Sequence, residues 1–168
     1  LGWLCKKKGI QFHVDGVQAL GHVDLNLDQC EFDSYSFSAH KFGGVRGCAG
    51  LFLNQSEIIP NIQGGPQEWG LRAGTENVAA LAAACIALEK SIEELNEGDK
   101  KLIFLEELID RELGINSNSI IKNHPKIKVP GILSYSFKGC LGSEIVTAMS
   151  LEGFCLATGS SCSENLKV

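Results

Sequence analysis

The stretch SFSAHKFGGVRGCAG, Ser36 to Gly50, sets Lys41 directly after His40 and ahead of paired glycines, at the end of an apolar, strand-like run. A strand that merely returns to solvent needs no such grouping. A second chemical group ends another short strand, for Asp15 closes the run IQFHVD, Ile10 to Asp15. Ligands of open α/β sheets bind beyond the carboxyl ends of the strands, where the sheet holds loop side chains rigidly. If the two strands are neighbours, a carboxylate and a lysine face one crevice, and that pairing suits a pyridoxal phosphate site. Such a cofactor needs a lysine amine for a Schiff base to its aldehyde and a buried carboxylate that keeps its ring nitrogen protonated. Its phosphate needs hydroxyl, imidazole or backbone donors. Lys41 can supply the first, Asp15 the second, and Ser38 with His40 part of the third. The lysine must also be partly deprotonated near neutral pH, through desolvation or a cationic neighbour.

The elements that must position these groups alternate. LGWLCKKKG reads as a helix whose three lysines and Gly9 mark its end. Then come the strand ending at Asp15, the connection VQALGHVDLNLDQCEFD, the strand SYSFSAH and a further strand at Gly50 to Leu53. That order argues for an α/β layer with a parallel or mixed sheet. After the loop NIQGGPQEWGLRAGTEN, the residues Val78, Leu81, Cys85, Leu88, Ile92 and Leu95 recur at helical spacing and form one apolar stripe. Thr75 stands at the expected N-cap with Glu76 behind it, and Gly98 divides or kinks the helix before KKLIFLEELIDREL. A second α/β unit follows: GILSYSF as a strand, SEIVTAMSLEG as a helix opened by Ser143, and FCLAT as a strand running into GSSCSE.

The 168 residues carry 15 Lys+Arg against 20 Asp+Glu, a formal net charge of -5, and no long basic run. Nucleic acid and anionic membrane are therefore poor partners. No stretch is apolar for the length a spanning helix requires, and the first residues do not read as a signal peptide. Seven cysteines, an odd number without a C-x-x-C pair, fit a reducing cytoplasm and exclude the usual zinc spacing, so no metal site is expected. Cys5, Cys30, Cys48, Cys85, Cys140 and Cys155 sit among apolar or small neighbours and read as core filler. The chain opens on Leu1 inside a helix and stops at ENLKV, which reads as a piece of a longer polypeptide.

HVDGVQALG, SFSAHKFGGVRG, GGPQEWGLRAGTEN and ATGSSCSE, four separated motifs in this order, resemble the pyridoxal-phosphate-dependent cysteine desulfurases of the class V aminotransferase group, of the iron–sulfur-cluster-assembly type. The resemblance implies a fragment of a type I pyridoxal-phosphate transferase fold, α/β throughout. Residues 1–90 would belong to the large domain with its mostly parallel sheet, and residues 91–168 to a smaller carboxyl-terminal domain. It implies roles as well. Lys41 is the Schiff-base lysine that also moves protons, Asp15 pairs with the ring nitrogen, Gln18 bonds the phenolic oxygen, and Ser38 and His40 hold the phosphate. Thr75 reaches the phosphate of the neighbouring subunit in a homodimer. Cys162 is the nucleophile that takes sulfur from L-cysteine as a persulfide, leaving L-alanine, and passes it to a sulfur-acceptor or cluster-scaffold protein; a transient iron–sulfur contact at Cys162 goes with that role. A mobile loop around Gly159 and the serines suits such a thiol, which must act as thiolate.

Taken one at a time, these residues have plain structural readings: Asp15 as a helix N-cap, His40 as a satisfied histidine, Thr75 as a cap, Cys162 as a loop thiol, with Gln18 uninformative. Their joint order favours the functional reading. His13, His22 and His124 read as structural, the last as a turn residue. Val45, Arg46, Cys48 and Ala49 depart from the family pattern in ways that touch loop shape, and CSEN leaves the choice of acceptor open. The family's ring-stacking histidine, its neighbouring asparagine, its main phosphate turn and its substrate-clamping arginine have no counterparts in these residues, so the piece alone is expected to be inactive. A selenocysteine or cystine lyase, and a non-catalytic sulfur-relay or scaffold homologue, are the rival readings.

Overall fold

The computed structural model describes residues 1–54, 58–114 and 118–159. The chain divides into two compact units, Leu1–Gly98 and Asp99–Val168.

In the first unit, helix α1 (Gly2–Lys7) ends on Lys6 and Lys7, and Gly9 adopts φ 63, as the charge and glycine signals predict. Strand β1 covers His13–Asp15 only. Just before it, the Phe12 amide donates to the Asp33 carboxylate at 2.6 Å and the Phe12 carbonyl accepts from the Asp33 amide at 2.9 Å. Strands β2 (Ser34–Ser38) and β3 (Ala49–Leu53) complete a three-stranded mixed sheet in the order β1-β2-β3. β1 runs parallel to β2, pairing His13 with Ser34 and Asp15 with Ser36; β2 runs antiparallel to β3, pairing Ser34 with Leu53 and Ser38 with Ala49.

Helix α2 (Val78–Glu112) is continuous through Gly98 rather than two helices. Its cap is Asn77 and not Thr75: the Asn77 side chain accepts from the Ala80 amide at 3.1 Å, while Thr75 lies exposed in the preceding coil. The face that packs against this core shares Leu88 with the expected stripe and otherwise differs from it. Ala80, Ala84, Ala87 and Leu88 lie against Ala39, Phe42 and Cys48, whereas Val78, Leu81, Cys85 and Ile92 remain exposed. Small side chains let the helix approach the loop after β2 closely, and that approach selects the alanine face.

In the second unit, strands β4 (Ile120–Lys122) and β5 (Tyr135–Phe137) pair antiparallel, and helix α3 (Gly142–Leu151) follows. Two carboxylates of α2 hold this sheet. Asp110 accepts from the Lys122 ammonium and the Tyr135 hydroxyl, each at 2.6 Å, and Glu106 accepts from the Lys128 ammonium and the Gly131 amide, each at 2.5 Å. The Lys122 and Tyr135 bonds hold the Asp110 carboxyl below its usual range. Burial pushes Glu106 up, but the bonds from Lys128 and Gly131 more than offset it, leaving that carboxyl low as well. His124 sits in a bend with its ring edge-on to Tyr135, as a structural residue does. Two expectations are corrected and one element is added. α3 begins at Gly142 with Leu141 as its N-cap, so Ser143 lies in the first turn; FCLAT forms no strand; and β4 was not foreseen. FCLAT lacks what a strand requires, a neighbouring backbone ladder among the described residues.

Most of the thiols are not core filler. Of the six in described positions, Cys48 alone is buried, Cys5 and Cys30 are half-buried, and Cys85, Cys140 and Cys155 are exposed. Apolar neighbours in sequence do not bury a side chain unless another element covers that face. No described helix is long and apolar enough to cross a membrane.

Candidate active site

The parallel pairing of β1 and β2 brings the carboxyl ends of both strands to one edge of the sheet, with Asp15 level with Ser36. The chain turns away immediately after Asp15. The Gly16 amide donates to the Ser36 carbonyl at 2.9 Å, and Asp15 Oδ1 accepts from the Val17 amide at 3.1 Å. Glycine is required here on steric grounds, since a Cβ at position 16 would lie 1.8 Å from Cζ of Tyr35. The buried Tyr35 hydroxyl in turn donates to the Gly16 carbonyl at 3.1 Å. Burial first, and then the charges of Cys30 and Asp15, push that hydroxyl's pKa up. Asp15 itself is exposed.

Beyond β2 the chain makes a 3₁₀ turn, Ala39–Phe42, that alternates inward and outward. Ala39 (0% exposed) and Phe42 (5%) enter the core against Ala84 of α2, while His40 faces solvent and Lys41 is half-buried. The turn is closed below by the Ala39 amide donating to the Cys48 carbonyl at 2.9 Å. It is closed above by the Gly44 amide on the Ala39 carbonyl at 2.8 Å, after Gly43 at φ 88. Cys48, a departure from the family pattern, thus lies in the core beneath the lysine loop.

The side chains at this edge supply complementary chemistry. Ser38 Oγ and His40 Nδ1 are 2.8 Å apart, and both residues line an open concavity with Arg46, Gly47, Cys48 and Ala49. Among the described residues the Lys41 ammonium has no hydrogen-bond or ionic partner, and Asp15 Oδ2 has none either. A free amine, a carboxylate, and a hydroxyl beside an imidazole are the kinds of group that the aldehyde, ring nitrogen and phosphate of pyridoxal phosphate would call for. Asp15 and Ser38 end the two parallel strands, and His40 and Lys41 lie in the turn that follows Ser38. Gln18 follows Asp15 in the next turn, exposed. Thr75 is exposed in the coil before α2, and Cys162 lies outside the described residues. Among the described residues no cluster of three or more His, Cys, Asp or Glu could hold a metal ion.

His22, read from the sequence as structural, has its Nε2 2.7 Å from the Lys41 carbonyl oxygen. Asn77 escaped the sequence reading: it is at least as good at capping as threonine and adjoins the first helical residue.

The fold is similar to that of solved NifS-like proteins. One of them is 36% identical with a TM-score of 0.83, over 93% of this chain and 43% of its own. Another, from Rickettsia africae, is 27% identical with a TM-score of 0.85, over 95% and 44%. The aminotransferase class-V family model matches residues 1–168, and the chain belongs to that family. It is 37% identical over 166 residues to the cysteine desulfurase IscS of Clostridium botulinum, and 36% identical over 167 residues to that of Dictyoglomus turgidum. The matches cover 96% and 98% of this chain but 42% of each relative, so the chain spans about two-fifths of the length of the curated relatives it matches.

Proposed function

We propose that the natural full-length polypeptide carrying this chain is a pyridoxal-phosphate-dependent cysteine desulfurase that acts as a homodimer in the cytoplasm. The observation that carries the reading is the register of β1 against β2, which sets Asp15 and the Ser38–Lys41 turn at one sheet edge. The names of the relatives supply the reaction class. The odd cysteine count supports the compartment. Residues 1–90 belong in this reading to the cofactor-binding domain and residues 91–168 to the smaller one.

Bound pyridoxal phosphate supplies an electron sink next to the substrate's α-carbon. Lys41 would hold the aldehyde carbon and carry protons at the substrate's α-carbon. The Asp15 carboxylate would keep a proton on the ring nitrogen, Gln18 would bond the phenolic oxygen, and Ser38 and His40 would hold the phosphate, with Thr75 reaching the phosphate of the second subunit. The Cys162 thiolate attacks the sulfur of L-cysteine. The S–S bond forms as the substrate's Cβ–S bond breaks, the electron pair stays on Cβ, and a proton joins it there. The products are L-alanine and a persulfide on Cys162, whose terminal sulfur passes to an acceptor or cluster-scaffold protein.

The test uses the natural polypeptide loaded with pyridoxal phosphate. Lys41→Ala is expected to abolish the visible absorbance of the lysine-bound cofactor, and Cys162→Ala to reduce alanine formation from cysteine to background. A colourless wild-type protein, or an unaffected Lys41→Ala variant, refutes the cofactor site. Undiminished turnover in Cys162→Ala refutes the desulfurase and leaves a lyase that releases its product directly.

A further inference from the structure

His22 stands outside every role assigned above. It follows Gly21 in the connection between β1 and β2, and its Nε2 lies 2.7 Å from the carbonyl oxygen of Lys41. A carbonyl only accepts, so Nε2 carries the proton and donates. The loop that delivers His22 is itself pinned to α2. Ser91 Oγ donates to the Gly21 carbonyl at 2.6 Å across seventy residues of chain. Gly21 has φ 80, and a Cβ there would come 2.7 Å from Cβ of Phe42 and 2.9 Å from the Ser91 hydroxyl. Position 21 therefore has to be glycine for the loop to lie this close to the lysine turn. Three segments far apart in sequence, α2, the 21–22 corner and the 39–42 turn, meet through two hydrogen bonds beside a side chain that has no described partner of its own.

A half-buried lysine with no side-chain partner takes its aim from its backbone. Ala39 and Phe42 fix the ends of that turn by burial, but neither fixes the peptide plane of Lys41 between them. We infer that His22 is a positioning residue: its Nε2–H holds the Lys41 carbonyl, setting the direction from which the lysine amine reaches the cofactor aldehyde. This rests on the reading of Lys41 as the cofactor lysine. The bond is a single one in a partly buried setting, so its loss is expected to speed cofactor release roughly five- to tenfold.

His22→Leu removes the donor, whereas His22→Gln returns an amide N–H at nearly the position of Nε2. In the natural full-length polypeptide, His22→Leu is expected to release pyridoxal phosphate roughly five- to tenfold faster and to shift the pH midpoint of the lysine-bound cofactor's visible absorbance. His22→Gln is expected to match wild type in both. A folded His22→Leu variant with wild-type release and an unmoved pH midpoint overturns the inference, because a residue that only supported the fold would lower melting temperature and leave both unchanged. Should the leucine variant not fold, the glutamine variant decides: wild-type release supports the inference and leucine-like or faster release overturns it. In the cofactor-free protein, imidazole 15N shifts are expected to show protonated Nε2 and acceptor Nδ1; the opposite tautomer overturns the inference without reference to cofactor. A protein that shows the Nε2–H tautomer yet never bonds pyridoxal phosphate through Lys41 would refute the proposed function while leaving the hydrogen bond in place.

Discussion

Gly16→Ala offers the most direct test of how the sheet edge is built. A Cβ at position 16 would lie 1.8 Å from Tyr35 Cζ and 2.1 Å from its hydroxyl oxygen, against an ordinary contact of 3.4 Å or more, so the ring must retreat by at least about 1.6 Å. Gly16 does not have positive φ, so alanine meets no backbone strain and the conflict is one of volume alone. Tyr35 has little room to yield. It is 2% exposed, packs on Phe32 with ring centroids 5.5 Å apart, and gives its hydroxyl proton to the Gly16 carbonyl. Overpacking a core costs about 1–3 kcal/mol, and a buried hydroxyl stripped of its acceptor costs about as much again, so a loss of roughly 2–6 kcal/mol is expected. The urea midpoint of the natural polypeptide should fall by that loss divided by the slope, with the slope unchanged. Because the conflict belongs to one pair, it should vanish when the ring is shortened. In a Tyr35→Leu background the same Gly16→Ala change should cost at least about 1.5 kcal/mol less than in wild type. Additivity of the two substitutions to within about 0.5 kcal/mol would refute the steric account. Asp15 adjoins Gly16, so the single variant should also shift the bound cofactor's absorbance and the double variant restore it.

Asn77→Ala should cost about 1 kcal/mol of stability through loss of the α2 cap, whereas Thr75→Ala should change stability by less than about 0.5 kcal/mol and yet speed cofactor release; melting and release measured on both variants separate the cap from the proposed phosphate ligand. The second unit should be acid-labile. Glu106 and Asp110 both have folded-state pKa values below the ordinary carboxyl range, so their stabilisation is complete above that range and is lost as pH falls through the lowered values, below about pH 4. Circular-dichroism melts across pH 3–7 should show that loss, and Asp110→Asn with Glu106→Gln should flatten it while lowering stability at pH 7.

Much of the candidate site was legible because its parts are local. A carboxylate ending one β-rich run and a lysine ending another are readable one segment at a time, and a short parallel pair was all that was needed to bring Asp15 beside Ser36. The misreadings are those in which the deciding contact is remote. Val78, Leu81, Cys85 and Ile92 form a good stripe by size and spacing, but the partner surface at Ala39 and Phe42 accepts a close-packed face of alanines instead. Apolar neighbours made Cys85, Cys140 and Cys155 look buried although nothing described covers them. β4 is three residues of ladder, Ile120–Lys122, too short for alternation to show, and its place depends on Asp110 gripping Lys122 from a helix. His22 was read as structural, but its partner could not be read, because that partner is a backbone carbonyl nineteen positions away, and backbone acceptors have no residue type.

That last case bears on how such a site is held. The described edge relies on little covalent or ionic reinforcement: no described carboxylate pairs with Lys41, and the Ser38–His40 contact is exposed. Its precision comes from exclusion. Tyr35 leaves room for nothing larger than glycine after Asp15, Phe42 and Ser91 leave room for nothing larger at position 21, and Ala39 crowds the space beside Gly44, where an added Cβ would come within 2.9 Å of its carbonyl oxygen. Each glycine marks a point at which two backbones or a backbone and a ring approach more closely than a methyl group allows. Those close approaches bring Asp15, His22 and Lys41 to their places. Substitutions at Gly16, Gly21 and Gly44 should therefore disturb cofactor binding more than truncation of the exposed His40 side chain, although none of the three glycines has a side chain to offer.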